Sequence, residues 1–208
     1  MGYFIDEHNK FTVHNAPKIG STTIRSWIAY AGTGSLQLYG SDQYYHENTQ
    51  AFKLPNEWGY THDWFKEIEG ESICVKRDPV KRFISCYDDK VVKENRLPGI
   101  SLDKFLDNPW EIIDNMDKPL EENKSIGYLY YHFAPQTMHL GENIDYYTHV
   151  FDISEVNTLC KKYFEQKWSI TIPDLVCRSN PNKKTTLTDE QISKVKAIYD
   201  QDYKIGWV

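Results

Sequence analysis

Residues 17–23 read PKIGSTT and combine a lysine, a glycine and three hydroxyl side chains. A glycine permits the backbone geometry that turns N–H groups toward a ligand, and a helix that begins there adds the positive end of its dipole. Lys18 contributes a full positive charge on a mobile side chain. The pattern predicts an anion-binding loop made of Pro17, Lys18, Ile19, Gly20, Ser21, Thr22 and Thr23. Ordinary helix capping by the hydroxyl residues is the open alternative.

This loop differs from the GxxxxGK[ST] loop of ATP-hydrolysing proteins. Its lysine precedes the glycine, and the loop is shorter. A nucleotide kinase would share the strand, loop and helix but would need a lysine after the glycine and a pair of magnesium ligands. ATP hydrolysis in the P-loop manner is therefore disfavoured.

A second segment of interest, residues 76–87, reads KRDPVKRFISCY. Arg77 is expected at the carboxyl end of a strand, and Ser85 in the helix that follows it. A planar guanidinium suits a phosphate through two parallel hydrogen bonds, and a hydroxyl can supply another. The segment predicts a second anion contact. The alternative is that Arg77 pairs with Asp78 or with another carboxylate at the surface.

Hydrophobic periodicity predicts the elements that position these two segments. Residues 11–15, 72–76 and 147–153 are typical of short strands, and each precedes a stretch with apolar residues at helical spacing. Strands that alternate with helices indicate an α/β fold, a single domain over residues 1–208 with a mainly parallel central sheet flanked by helices. Ligands of such sheets bind beyond the carboxyl ends of the strands. The helix N-caps are predicted at Asp78, Ser154 and Thr188.

Together, the two segments resemble the two donor-binding signatures of the sulfotransferases that use 3′-phosphoadenosine 5′-phosphosulfate (PAPS). Residues 17–23 are similar to their 5′-phosphosulfate loop, PKxG[ST][ST], and residues 77–87 to their 3′-phosphate motif, RDPxxRxxSxY. The resemblance implies a P-loop-kinase-like sulfotransferase fold. It also implies that Lys18 contacts the phosphosulfate and helps the leaving group depart, while the rest of its loop cradles the 5′ end. Arg77 and Ser85 would bind the 3′-phosphate.

Two further segments are similar to the same family. HFAPQ, residues 132–136, resembles a His-x-x-Pro-Gln segment of the carbohydrate sulfotransferases, and the ending LTDEQISKVKAIYDQDYKIGW resembles their terminal helix. His132 and Gln136 are interpreted as packing residues or as hydrogen-bonding residues near the acceptor, without a catalytic role. Acceptor specificity is expected in residues 97–125 or 32–61.

The resemblance also suggests a general base and one more donor contact. His62 lies in GYTHDWF, which is similar to a segment that supplies the base in some glycan sulfotransferases. A histidine that titrates near neutrality suits proton abstraction. Glu57 and Asp63 remain alternatives, because other branches use a glutamate. Lys184, next to Lys183, resembles a region that closes over the donor, with a solvated basic turn as the alternative.

Charge and composition exclude several classes of partner. The chain has 24 Lys and Arg against 30 Asp and Glu, a net charge of −6, which disfavours a general nucleic-acid or anionic-lipid surface. The N-terminus reads neither as a leader nor as a membrane span, so no membrane partner is expected. Residues 101–123 carry seven acids against two lysines, which predicts a solvated excursion or lid.

Cysteine and histidine spacing bears on compartment and metal content. The four cysteines lie far apart without a CxxC pair, which fits reduced thiols in the cytoplasm better than a disulfide framework. His132 and His139 have no third ligand at a useful spacing, so no metal is expected.

The sequence therefore predicts a PAPS-dependent sulfotransferase that acts on a hydroxyl, with a carbohydrate as the favoured acceptor and PAPS as donor co-substrate. Transfer would proceed by in-line displacement, with a general base and with Lys18 stabilising the leaving group. A nucleotide kinase-like phosphotransferase and a non-catalytic nucleotide- or glycan-binding module stay open as alternatives, as does the oligomeric state.

Overall fold

The computed structural model describes residues 2–6, 8–33, 70–116, 127–174 and 185–208. Within these residues lies a four-stranded sheet in the order β1-β2-β3-β4, whose strands are Gly2–Asp6, Phe11–Asn15, Glu71–Lys76 and His149–Asp152. β1 and β2 pair as an antiparallel hairpin, whereas β2, β3 and β4 run parallel. The prediction of a mainly parallel sheet in an α/β fold is confirmed. β1 was not predicted.

The parallel strands bring their carboxyl ends to one edge of the sheet. Val13 of β2 lies opposite Ile73 of β3, and Ile73 lies opposite His149 of β4. The chain therefore leaves β2 toward residue 16 and leaves β3 toward residue 77 at the same edge. Both sequence motifs begin at these two exits.

Burial explains why β2 and β3 form the middle of the sheet. Phe11, Val13, Ile73 and Val75 are completely buried, as expected for parallel strands that are covered on both faces. β2 also contains one buried titratable group, His14, which is 3% exposed. Its burial lowers the pKa of His14 to about 4, so the imidazole is neutral at pH 7.

Helices follow the strands in the predicted alternation. In chain order, the helices α1 to α9 of the described residues are Ser21–Thr33, Pro79–Tyr87, Leu102–Asp107, Pro109–Met116, Tyr128–Phe133, Gln136–Leu140, Lys161–Trp168, Asp189–Ile198 and Asp200–Ile205. A π-helical segment, Asp88–Lys93, extends α2, and another, Val156–Cys160, leads into α7. Short 3-10 turns lie at Ile144–Tyr146 and Ile153–Glu155.

The described residues form two compact units, and the first contains the sheet. It takes in the described residues up to Lys76 and residues 145–174. The ring of Phe11 lies 5.8 Å from that of Phe164 in α7, and the Phe164 ring lies 6.0 Å from that of Trp27 in α1. Phe164 of α7 thus packs between β2 and the middle of α1. That the chain is a single domain stays a prediction.

The second unit takes in the described residues from Arg77 to Ile144 and residues 185–208, and it has an aromatic core. Phe83 of α2 lies at its centre, with ring centroids 6.2 Å from Phe105, 5.9 Å from Phe133 and 6.5 Å from Tyr199. Because these rings come from α3, α5 and the end of α8, they fix α2 from three sides. α2 carries most of the second sequence motif.

The expectation of a solvated excursion over residues 101–123 is wrong for its first part. Residues 102–116 form α3 and α4, and Phe105, Leu106 and Ile113 are at most 3% exposed. The acids lie between these apolar residues at helical spacing, so the charge count concealed an amphipathic pattern. Residues 117–123 lie outside the described residues.

The cap of the segment after β4 also differs from the prediction. The N-cap is Asp152, not Ser154: its carboxylate accepts the Ser154 N–H at 2.8 Å, and the Glu155 carboxylate accepts the Asp152 N–H at 2.8 Å. The chain then passes through a 3-10 and a π-helical turn. Regular helical spacing predicts Leu159 on one apolar face with Val156 and Cys160, but in this irregular segment Leu159 is 54% exposed.

Candidate active site

The loop between β2 and α1 has a left-handed backbone at two positions. φ is +67° at Lys18 and +89° at Gly20. Glycine adopts this region readily, but a lysine there is uncommon, and such residues concentrate in turns and functional sites. Turns of this kind can point successive N–H groups toward one concave side, which suits an anion.

Apolar contacts hold the loop in this conformation. Ala16 and Ile19, on either side of Lys18, are at most 1% exposed. A Cβ on Gly20 would lie 3.4 Å from Val156 Cγ2 and 4.0 Å from Ile153 Cδ1. The loop backbone therefore packs closely against the segment after β4, while the Lys18 side chain is only partly buried.

The start of α1 is suited to a negative charge. The Ile24 N–H donates to the Gly20 carbonyl at 3.2 Å, so the helical hydrogen bonds begin at Gly20. The first N–H groups of a helix have no acceptor within it, and the dipole makes this end positive. The first turn of α1 has no acidic residue, so no carboxylate of its own competes for this position. The predicted loop residues 17–23 thus form one continuous turn that leads into the start of α1, an arrangement that suits an anion.

The second motif begins at the residue after β3. Asp78 is the N-cap of α2, and its carboxylate accepts the Lys81 N–H at 2.8 Å, which confirms the predicted cap. Pro79 takes the first helical position, where the missing N–H is tolerated. Ser85 lies in the same helix and is partly exposed. The structure thus places Arg77 at the strand-to-helix junction, as expected, with Ser85 two turns into the helix.

Gln136 is a residue near the motif whose role the sequence did not reveal. Its Oε1 accepts the Arg77 N–H at 3.0 Å, and its Nε2 donates to the Arg77 carbonyl at 2.8 Å. The same Nε2 donates to the Trp207 carbonyl at 2.9 Å. Gln136 is completely buried. The sequence signal for Gln136 is the resemblance of HFAPQ to a His-x-x-Pro-Gln segment. That resemblance predicts packing or a hydrogen bond near the acceptor, not a contact with Arg77.

A buried carboxylate holds the start of α6, where Gln136 lies. Asp202 accepts the N–H groups of Gln136 and Thr137 at 2.9 and 2.8 Å, and it is completely buried. Burial raises the pKa of Asp202, while these hydrogen bonds and the positive charge of Arg82 oppose the rise. The Asp202 carboxylate therefore fixes the main chain at Gln136.

Arg82 departs from the predicted helix pattern. Helical spacing places Arg82 off the apolar stripe formed by Val80, Phe83 and Ile84, yet Arg82 is 1% exposed. Its guanidinium donates to the His132 carbonyl at 3.1 Å and lies 6.0 Å from the Tyr199 ring centroid. A second motif arginine therefore has a structural role, joining α2 to the HFAPQ segment.

Several predicted site residues lie outside the described residues. These are the candidate bases His62, Glu57 and Asp63, and the candidate donor contact Lys184 with its neighbour Lys183. Thr185, which follows Lys184, donates to the Asp88 carboxylate from both its N–H and its hydroxyl, at 3.1 and 2.5 Å.

Across residues 2–6, 8–33, 70–116, 127–174 and 185–208, no group of three or more His, Cys, Asp and Glu is arranged to hold a metal ion. No helix in the same part of the chain combines the length and apolar character needed to cross a membrane.

Comparison with protein-family models matches residues 1–205 to the sulfotransferase family. The matched region includes the Lys18 loop, the Arg77 motif and the C-terminal helices. No curated protein and no solved structure matches the chain.

Proposed function

Because this chain belongs to the sulfotransferase family, we propose that it transfers a sulfuryl group from PAPS to a hydroxyl group of a carbohydrate acceptor. The observation that carries the proposal is the Lys18 loop: a left-handed lysine and glycine between the carboxyl end of a buried parallel strand and a helix whose first turn has no acid. Such an arrangement favours a phosphate or sulfate group.

The chemistry of the first segment fits the 5′ end of the donor. We assign the 5′-phosphosulfate to the N–H groups and hydroxyls of residues 20–23 and to the Lys18 ammonium. Lys18 is the group that would stabilise negative charge on the departing phosphate oxygen. Fixed donors aimed at developing charge are among the largest contributions to catalysis.

The second segment fits the 3′-phosphate, which distinguishes PAPS from ATP and other nucleotides. We assign this phosphate to the Arg77 guanidinium and the Ser85 hydroxyl. Arg77 follows β3 directly, and the parallel pairing brings the exits of β2 and β3 to the same edge of the sheet. We propose Lys184 as an additional donor contact.

The donor supplies an activated sulfuryl group, so that a new bond forms between the acceptor oxygen and sulfur as the bond from sulfur to the phosphate oxygen breaks. The products are the sulfate ester and 3′-phosphoadenosine 5′-phosphate (PAP). The chain must accept the acceptor's hydroxyl proton, and we propose His62 for this role, with Glu57 and Asp63 as alternatives.

The acceptor class and the compartment are also part of the proposal. The carbohydrate acceptor rests on the resemblance of HFAPQ to a segment of carbohydrate sulfotransferases. A cytoplasmic location fits the described cysteines Cys74, Cys86 and Cys160, which are free thiols and not disulfides. The net charge of −6 disfavours nucleic acid as a partner.

The test is mass spectrometry of a panel of glycans, tyrosine peptides and small alcohols after incubation with PAPS. We expect a mass gain of one sulfuryl group on a glycan and the release of PAP. Thermal shifts with PAP and with ATP plus magnesium form the parallel measurement. A larger shift with ATP would support a nucleotide kinase instead. Binding of PAP without turnover on any acceptor would support a non-catalytic module.

Substitution of the three candidate bases refines the mechanism. His62→Ala, Glu57→Ala and Asp63→Ala are compared for turnover and for PAP affinity. The base is the residue whose loss lowers turnover while PAP affinity stays at the wild-type value. If none of the three lowers turnover, the proton is taken by another group.

A further inference from the structure

We infer that Gln136 is a positioning residue for Arg77, and that it thereby sets how strongly the protein prefers a nucleotide with a 3′-phosphate. This inference rests on the proposed function, because it takes Arg77 as the group that binds that phosphate. Gln136 itself is not assigned a contact with the donor. Its action is on the Arg77 main chain.

The amide of Gln136 acts on Arg77 as a neighbouring strand would. It pairs with both the N–H and the carbonyl of one residue, at 3.0 and 2.8 Å. Two hydrogen bonds on opposite sides of one Cα restrain both backbone torsions of Arg77. A restrained backbone limits the directions in which the guanidinium can extend, so the cost of ordering it on binding is smaller.

Gln136 can restrain Arg77 because Gln136 is itself held from three directions. Its own N–H donates to Asp202, its Nε2 donates to the Trp207 carbonyl, and it is completely buried. Trp207 is in turn fixed by its indole N–H, which donates to the Gly141 carbonyl at 3.0 Å. The C-terminal segment of the chain therefore supports the residue that supports Arg77.

Among residues of similar size, only glutamine satisfies all of these partners. Glutamate would keep an acceptor for the Arg77 N–H but would bring a carboxylate against the carbonyls of Arg77 and Trp207. Methionine would leave the Arg77 N–H and both carbonyls without this partner. A buried polar group that loses its partner is destabilised, so the backbone would shift to find another partner.

The test compares the affinities of PAP and adenosine 5′-monophosphate (AMP) by isothermal titration calorimetry. The two probes differ only in the 3′-phosphate. We expect Gln136→Met to lower the preference for PAP over AMP by about tenfold, the lower end of the roughly 10–100-fold loss that follows removal of residues that orient metal ligands. AMP affinity should stay within about twofold of the wild type by the same reasoning. An unchanged preference would overturn the inference.

Two further variants separate positioning from a general loss of stability. Tyr199→Phe removes another buried hydrogen bond of the same unit, from the Tyr199 hydroxyl to the Phe133 carbonyl at 2.7 Å. It should lower stability without changing the preference for PAP. In an Arg77→Ala background, Gln136→Met should produce no further loss of PAP affinity. An additional loss there would show that Gln136 acts by another route.

Hydrogen exchange of the wild-type protein needs no variant, so it tests the inference even if Gln136→Met fails to fold. The Arg77 N–H should be strongly protected from exchange. Rapid exchange of this N–H would contradict its hydrogen bond to Gln136. A wild-type protein that binds PAP no better than AMP would instead refute the proposed function. If the wild type prefers PAP over AMP and Gln136→Met keeps the same preference, only the inference about Gln136 is refuted.

Discussion

The two proposed anion contacts are fixed in opposite ways. The Lys18 loop is shaped by its own neighbours: left-handed torsions at Lys18 and Gly20, the buried Ile19, and the start of α1. Arg77 is held by a residue 59 positions away, and that residue is held by others 66 and 71 positions further along. The binding groups of the first contact are local in the chain, although Val156 packs against Gly20 from the segment after β4. The second contact depends on the folded C-terminal segment.

This difference predicts how each contact responds to change. Substitutions in the Lys18 loop should act directly on the anion, because the binding groups are the loop's own N–H groups and ammonium. The Arg77 contact should be sensitive to substitutions far from the motif. When a substitution destabilises the C-terminal segment, binding at Arg77 should weaken before binding at the Lys18 loop.

The largest effect is expected for Lys18→Ala. We predict a fall in kcat of about 10²–10³-fold, the range seen when one donor to a developing anion is removed. The measurement is steady-state transfer from PAPS. Lys10→Ala is the matched control, because Lys10 is also left-handed, with φ of +53°, and lies in the turn between β1 and β2. Equal losses in the two variants would mean that backbone strain, not the Lys18 charge, explains the result.

Arg77→Ala tests the second contact. We expect PAP affinity to fall by about 10–100-fold, since hydrogen bonds to charged groups contribute roughly 1.5–3 kcal/mol. AMP affinity should not change, because AMP lacks the 3′-phosphate. Calorimetry of both nucleotides measures this, with Lys81→Ala as the control, an exposed cation in the first turn of the same helix. A parallel loss of AMP affinity would show that Arg77 does not read the 3′-phosphate.

A pH effect is expected in β2, the strand that leads into the Lys18 loop. His14 has a pKa of about 4 when folded, against 6.5 as its ordinary value. A depressed histidine pKa stabilises the fold above pH 6.5, and this stabilisation is lost as pH falls from 6.5 toward 4. Between pH 7 and pH 5 the loss is about 2 kcal/mol. Urea unfolding of the wild type and of His14→Phe at pH 7 and pH 5 measures this loss. The free energy of unfolding of His14→Phe should fall less between the two pH values, and equal falls in both proteins would contradict the prediction.

The smallest effect is expected for Gly20→Ala. A left-handed alanine should lower the free energy of unfolding by about 1 kcal/mol. Gly99→Ala is the control, because φ is +76° at Gly99 and nothing lies within 4 Å of its Cβ position. Both variants should lose similar stability, but only Gly20→Ala should weaken PAP binding. Wild-type PAP affinity in Gly20→Ala would argue against the loop as the 5′ site.

The local features of the fold could be predicted from the sequence. The strand Phe11–Asn15 and the Asp78 cap depend on residues within a few positions, and both are confirmed. The capping box of Thr188 and Gln191 is confirmed for the same reason. Short-range patterns of this kind need no knowledge of what lies across the core.

Some missed features are local, such as β1 and the cap at Asp152 instead of Ser154, but the missed contacts around the second motif depend on distant partners. Arg82 looks like a surface cation in the helix pattern, but it is buried against the carbonyl of His132, 50 positions away. Gln136 looks like a packing residue, because its bonds to Arg77 and Trp207 exist only in the folded chain. The roles proposed for Lys18, Arg77, Ser85, His62 and Lys184 stay predictions.

The most direct test of the central claim is calorimetric titration of three nucleotides, PAP, adenosine 3′-monophosphate and AMP, into the wild type, Lys18→Ala and Arg77→Ala. The account predicts one PAP per chain. Lys18→Ala should weaken PAP and AMP, whereas Arg77→Ala should weaken PAP and adenosine 3′-monophosphate. Two PAP molecules per chain, or undiminished PAP binding in either variant, would contradict the claim that both segments bind a single donor.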